Sequence, residues 1–271
     1  MRETPTVRRQ TRPRPVRPAG WWYDLLLIAL LAALTYALSR GQLLGLDRTV
    51  SGWAEGHRPT WAYWAARGFN LLGQGGWLLM PVAGALGGLL AWRIRSVRPA
   101  LVFGAALVVL YLTVGPLKLW TDRAAPSATS HEPYLPQAEA VQIFNDLPPG
   151  TYSQSYPSGH VANALVWYGV IALLLTALLR AYGRPGLPVA AYRAIRVLPP
   201  AILIFTTTYL NFHWFTDGVA GLLVGLILRR LLDRVPWDDL PLPTLPGGWD
   251  RPARLDPPDR PDRPADATRR A

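Results

Sequence analysis

The chain has 271 residues, of which 50% are hydrophobic and only 17% charged, with a net charge of +11. Its apolar residues lie in long runs with no amphipathic shell left to cover them, which argues against a water-soluble globular fold. It contains no cysteine, so disulfides, thiolate chemistry and cysteine-ligated metals are excluded.

Residues 1–20, rich in Arg, Pro and Thr, read as a disordered tail. Trp21, Trp22 and Tyr23 then supply rings suited to the headgroup level of a bilayer, ahead of a first apolar run from Leu25 to Leu38. Asp24 at its start, the lack of a small-residue cleavage site and its continuation into Ser39 and Arg40 mark this run as a retained span. Between Gly41 and Arg67, Trp53, His57, Trp61 and Trp64 are spaced as on an interfacial helix. A second run, Gly75 to Trp92, carries glycines suited to close helix packing. A third, Pro99 to Trp120, ends around Lys118, and a long loop from Thr121 to Pro157 follows. The turn Pro157-Ser158-Gly159-His160 opens a fourth run, Val161 to Leu179. The fifth, Leu198 to Phe212, is expected to start near Pro199 and to join the sixth, Phe215 to Ile227, through a tight turn holding His213. Beyond Arg234 the Pro-, Asp- and Arg-dense residues 236–271 read as a second disordered tail. The expected architecture is all-α: a polytopic membrane protein with six transmembrane helices in one domain, residues 21–235.

The basic residues follow the same plan. Arginines precede the first run, follow the second, separate the fourth from the fifth and follow the sixth. If each run crosses once, all four clusters share a side, which the positive-inside rule makes cytoplasmic. The positive charge is therefore topology and contact with anionic lipids, with no nucleic-acid partner. Both termini fall in the cytoplasm. A single Lys among abundant Ala, Arg, Gly and Pro suggests a high-GC bacterial source, and hence the inner (plasma) membrane.

On this topology His57, His131, His160 and His213 all lie on the outer side. His160 and His213 sit where spans meet water, and Asp217 follows His213 at helical spacing, so carboxylate and imidazole share a face. Such a carboxylate holds one ring nitrogen protonated and turns the other toward substrate, while a second histidine protonates a leaving oxygen. Lys118 and Arg123 offer positive charge to phosphate oxygens, and the amides at Ser158 and Gly159 offer anion-binding donors. Read blandly, the lysine and arginine snorkel to headgroups and Ser158 is an ordinary N-cap.

Taken in order along the chain, these residues resemble the type 2 phosphatidic acid phosphatase family, membrane relatives of vanadium haloperoxidases and bacterial acid phosphatases. That family shows Lys, six residues, Arg-Pro; then Pro-Ser-Gly-His; then Ser-Arg, five residues, His, three residues, Asp. Here the second motif is intact as Pro157-Ser158-Gly159-His160, the third retains His213 and Asp217, and the first retains Lys118 and Pro126. The resemblance, which covers most of residues 20–235, implies a histidine phosphatase-like helical core. In it His213 is the nucleophile that forms a phosphohistidine, Asp217 orients it, and His160 is the general acid and then base. Lys118, Ser158 and Gly159 hold phosphate oxygens, and no metal or cofactor is needed. Two departures stand out: Ala125 occupies the first motif's arginine position, with Arg123 two residues earlier, and Thr206-Thr207 replaces Ser-Arg.

The expected function is a membrane lipid phosphatase or pyrophosphatase that hydrolyses a lipid-linked phosphoester at the outer face. The nearest alternative is a lipid phosphotransferase that passes a phosphoryl-linked headgroup to an alcohol, with acceptor choice residing around His131, Glu132, Tyr134, Glu139 and Asp146. A transporter is a more distant one, and haloperoxidase activity would need the arginine cage that is absent. The partners implied are a lipid phosphate or pyrophosphate and anionic membrane lipids. Nothing in the sequence excludes a homo-oligomer.

Overall fold

A computed structural model describes residues 20–128, 135–145, 147, 151, 153–243 and 245–250. Most of the two expected tails, and His131, Glu132, Tyr134 and Asp146 of the long loop, lie outside the described residues. No β-strand occurs among the described residues; the only pairings are two isolated bridges, Arg123 with Gln154 and Leu245 with Trp249.

The helices in chain order are α1 (Trp21–Ser39), α2 (Leu44–Gly56), α3 (Thr60–Asn70), α4 (Met80–Ile94), α5 (Arg98–Thr121), the single turn α6 (Gln137–Ala140), α7 (Gly159–Ala181), α8 (Val189–Tyr209) and α9 (Phe215–Arg234). A 3-10 turn, Leu71–Gly73, and a π turn, Gly75–Leu79, lead into α4. The π turn lies just before Pro81, whose ring cannot accept an ordinary α-helical turn ahead of it. Five helical stretches are long and apolar enough to cross a membrane: α1, Gly75–Ile94, α5, α7 and α8. With 20 residues, α9 has the length of a sixth span, about 30 Å at 1.5 Å per residue. Its ends carry Asp217, Arg229, Arg230, Asp233 and Arg234, so it is less apolar than the others.

The helix α7 is the axis of the bundle, with α4, α5, α8 and α9 packed around it. Two-thirds of its apolar window is buried, against about a fifth for each of the other four stretches, whose Leu, Ile and Val side chains point outward. A soluble protein does not expose apolar surface on this scale. Trp21, Trp22 and Trp92 ring one end of the bundle and Trp53, Trp61, Trp64, Trp77 and Trp120 the other, all exposed, as at the two interfaces of a bilayer.

Close approach of α7 and α9 depends on glycine. A Cβ on Gly221 would lie 2.5 Å from the Ser158 carbonyl oxygen, and one on Gly225 would lie 2.6 Å from a Leu165 methyl and 3.1 Å from the Ala162 Cα. These two glycines, four residues apart on one face of α9, set the depth at which its N-terminal end meets the start of α7.

Three expectations shift. The fifth span starts at Val189, nearly three turns of helix sooner than the paired prolines suggested, because Pro199 and Pro200 lie inside α8; neighbouring helices satisfy the freed carbonyls in a membrane protein. Its end comes at Tyr209, where Asn211 takes a left-handed conformation (φ 58°) and turns the chain toward His213. The interfacial segment is two helices, broken at Arg58-Pro59. Residues 236–250, assigned from sequence to the tail, carry two 3-10 turns, and Asp250 accepts hydrogen bonds from Ser96 Oγ (2.5 Å), the Val97 N–H (3.1 Å) and Arg98 Nη1 (3.0 Å).

Candidate active site

The site forms where α5, α7 and α9 end together beside the turn after α8. His213 sits in that turn and is 6% exposed. Its Nδ1 faces Ser155 Oγ at 3.3 Å and Asp217 Oδ2 at 3.7 Å. Ser155 Oγ donates to the same carboxylate oxygen at 2.5 Å, so the hydroxyl lies between imidazole and carboxylate. The arrangement favours the tautomer with its proton on Nδ1 and a free pair on Nε2. Burial lowers the His213 pKa, opposed by Asp217 and assisted by the charge of Lys118.

The other ring nitrogen meets His160. Nε2 of His213 stands 3.3 Å from Nδ1 of His160, with the rings nearly perpendicular. His160 is only half-buried, in the first turn of α7. Against its far side lies Gly73, where a Cβ would come within 2.9 Å of the His160 ring. Lys118, in the last turn of α5, passes beside Gly159 and donates to the Gln154 carbonyl. Thus His160, Lys118 and Gly159 line the accessible side of the His213 ring, and Asp217 and Ser155 its buried side.

Ser158 caps α7: its Oγ accepts from the Val161 N–H at 3.5 Å, and its own N–H donates to the Asp217 carbonyl at 2.9 Å. Both groups are therefore committed, and the side chain is fully buried. The amides left for an anion are those of Gly159 and His160, which precede the first intrahelical donor of α7.

Arg123 departs most from expectation. In place of reaching a phosphate, it is wholly buried, with every nitrogen bonded within the chain. Nε donates to the Val141 carbonyl (2.9 Å), Nη1 to Thr216 Oγ1 (2.8 Å) and Asp217 Oδ1 (2.6 Å), and Nη2 to Asp47 Oδ2 (2.6 Å). The indole of Trp214 covers its face at 5.5 Å. Asp217 is fully occupied as well, since Oδ2 also accepts from the Trp214 N–H at 2.9 Å. The two positions where the resemblance places arginine hold Ala125 and Thr207, both buried, and Thr207 Oγ1 donates to the Leu203 carbonyl.

Sequence reasoning therefore brought together His213, His160, Asp217, Lys118, Ser158 and Gly159, and misplaced the donors of Arg123. Asp47 and Ser155 went unnoticed. Elsewhere at this end, His57 is exposed and stacked on Trp53, Arg58 donates to the Tyr209 carbonyl (3.1 Å), and Arg67 lies over the Phe212 ring (5.6 Å). Glu139 is exposed in the long loop. No cluster of metal-ligating side chains occurs among the described residues.

A polytopic helical membrane protein with two histidines facing each other at one end of its bundle is the class this fold and site define. The chain belongs to the PAP2 superfamily, whose family profile matches residues 99–239 and so includes Lys118, Arg123, Ser155, Ser158, Gly159, His160, His213 and Asp217 but not Asp47 or Gly73. It is similar in fold to the first transmembrane PAP2 type phosphatidylglycerolphosphate phosphatase from Bacillus subtilis, at 22% identity and a TM-score of 0.59, over 78% of this chain and 94% of that one. No curated protein sequence matches it significantly. The chain is thus a multi-pass membrane protein of the lipid phosphatase fold.

Proposed function

We propose that the protein is a membrane lipid phosphatase or pyrophosphatase that cleaves a lipid-linked phosphoester through a phosphohistidine on His213. The carrying observation is the 3.3 Å approach of His213 Nε2 to His160, with Ser155 and Asp217 behind the opposite nitrogen. The Nε2 lone pair attacks phosphorus, the bond from phosphorus to the lipid oxygen breaks, and His160 gives that oxygen its proton. His160 then takes a proton from water, the resulting hydroxide attacks phosphorus, and the phosphorus–nitrogen bond breaks to return His213. Lys118 and the amides of Gly159 and His160 neutralise the charge gathering on the nonbridging oxygens. The arginine distribution supports an orientation with both termini cytoplasmic and the histidines facing outward.

A second reading rests on Arg123. With its donors committed internally, Lys118 is the cationic side chain seen beside the histidines, a modest charge for a monoester of nearly two negative charges. That favours a phosphodiester lipid, which carries a single negative charge, and with a diester the same histidine would hand a headgroup to an alcohol. The test is phosphate release from polyprenyl and glycerolipid phosphates in detergent by the parent and by His213→Ala, with and without an added alcohol acceptor. Release lost with His213 supports the phosphatase. Product formed only with the acceptor supports transfer, and activity surviving His213→Ala refutes both.

A further inference from the structure

Asp47 lies far from every motif in sequence yet closes the charge network behind the histidines. Resting on the reading of His213 as nucleophile, we propose that Asp47 is a positioning residue of this centre: it shares the Arg123 guanidinium with Asp217 and so sets how much carboxylate charge His213 feels.

Three elements meet in the network, α2 through Asp47, the segment after α5 through Arg123 and the first turn of α9 through Thr216 and Asp217. The side chains of Asp47, Arg123 and Asp217 are all 0% exposed. The Thr216 N–H donates to Asp47 Oδ1 (3.0 Å), and Thr216 Oγ1 and Arg123 Nη2 donate to its Oδ2 (each 2.6 Å). Every partner of Asp47 is a donor, the surroundings of an ionised carboxylate. Burial pushes the Asp47 pKa up, and the Arg123 charge pulls against it. Two carboxylates thus hold one guanidinium, and the trio carries one net negative charge.

The sharing acts on the imidazole. Arg123 binds Asp217 through Oδ1, while Oδ2 of the same carboxylate addresses Ser155 and His213. Without the Asp47 charge, the guanidinium belongs to Asp217 alone, the trio becomes neutral and the imidazolium of His213 loses support. Without the Arg123 charge, two uncompensated carboxylates remain and the imidazolium gains support. Removing both restores one net negative charge through Asp217. The other charged or titratable groups nearby are Lys118 of α5, His160 of α7, Tyr156 of the preceding loop, Arg67 of α3 over Phe212, and Glu55 of α2 bonded to Asn211. All are the same in every variant, so differences between variants report the trio.

The chain has four histidines, few enough for each ring to be followed by NMR in full-length protein labelled at histidine and held in detergent, with His213→Gln assigning the signal. In Asp47→Asn the His213 titration moves down by about 0.5 to 1 pH unit, and in Arg123→Gln it moves up by about as much. In the double variant it returns to within about 0.3 unit of the parent, the sign of a coupled pair. An unmoved titration in Asp47→Asn, or a double variant displaced as far as either single one, overturns the proposal. Should Arg123→Gln fail to fold, Asp47→Asn and the double variant still decide. The titration needs no turnover, so retained phosphate release in His213→Ala would sink the nucleophile reading separately.

Discussion

The bundle carries an ion cluster at each end, and the two have inverse composition. Behind the histidines, two carboxylates hold one guanidinium and all three are sealed from solvent. At the arginine-rich end, one carboxylate, Asp24 of α1, holds two guanidiniums of α9: Arg230 at 2.7 Å, and Arg234. Both arginines there remain partly exposed and stack on aromatic rings, Arg230 on Tyr23 (4.6 Å) and Arg234 on Trp21 (3.9 Å). Water or lipid headgroups can take over a lost partner at the second cluster, and nothing can at the first. A sealed cluster punishes deletion because the surviving charge stays buried, whereas an open one relaxes.

The sharpest break is Asp217→Asn, which removes the carboxylate common to Arg123, Ser155 and His213. Lipid phosphate release should fall by about three to four orders of magnitude in kcat, as when an orienting carboxylate is lost from other histidine sites; a fall under tenfold would deny Asp217 that role. Arg123→Ala comes next, leaving two buried carboxylates and destabilising the detergent-solubilised protein by about 3–5 kcal/mol in a denaturation series. Gly221→Val addresses how deeply the sealed end packs, since its Cβ meets the Ser158 backbone, and should cut kcat by about ten- to a hundredfold through misplacement of the α7 terminus. Gly225→Ala presses on the Leu165 side chain and the Ala162 Cα one turn further from the histidines, and with a single added methyl it should cost less in the same assay.

Two smaller effects complete the contrast. Burial holds the His213 pKa below its ordinary 6.5, and attack requires the unprotonated ring. The acid limb of the pH profile of kcat/KM that reports His213 therefore lies below 6.5; such a limb above 6.5 would contradict the burial argument. Asp24→Asn, at the open cluster, should leave phosphate release unchanged and shift stability by about 1 kcal/mol or less.

Much of the histidine end was legible because its parts are local in sequence. Pro157-Ser158-Gly159-His160 is contiguous, and Asp217 follows His213 by one helical turn, so spacing alone joins each set. The partners that were missed act across distance: Ser155 donates to a carboxylate 62 positions on, and Thr216 reaches back 169 positions to Asp47. Asp47 did leave a trace, a lone carboxylate after Leu43-Leu44-Gly45-Leu46, and such a residue needs a partner. Arg123 was visible as a charge, but a sequence does not say whether a cation faces the substrate or the protein behind it. The extent of α8 was obscured for another reason, since paired prolines mark helix starts far more dependably in water than in a bilayer.

The first and last long helices are neighbours in space. At the histidine end Leu38 of α1 packs with Ala220 of α9, Thr35 bonds the Tyr156 hydroxyl at 2.7 Å, and at the other end Asp24 waits for arginines about 206 residues downstream. At translation rates of 5–20 residues per second, that interval is roughly 10 to 40 s. During biosynthesis, then, the newborn chain carries Asp24 without these two arginine partners until α9 has been made, and assembly of the site is deferred to the closing of a ring between α1 and α9.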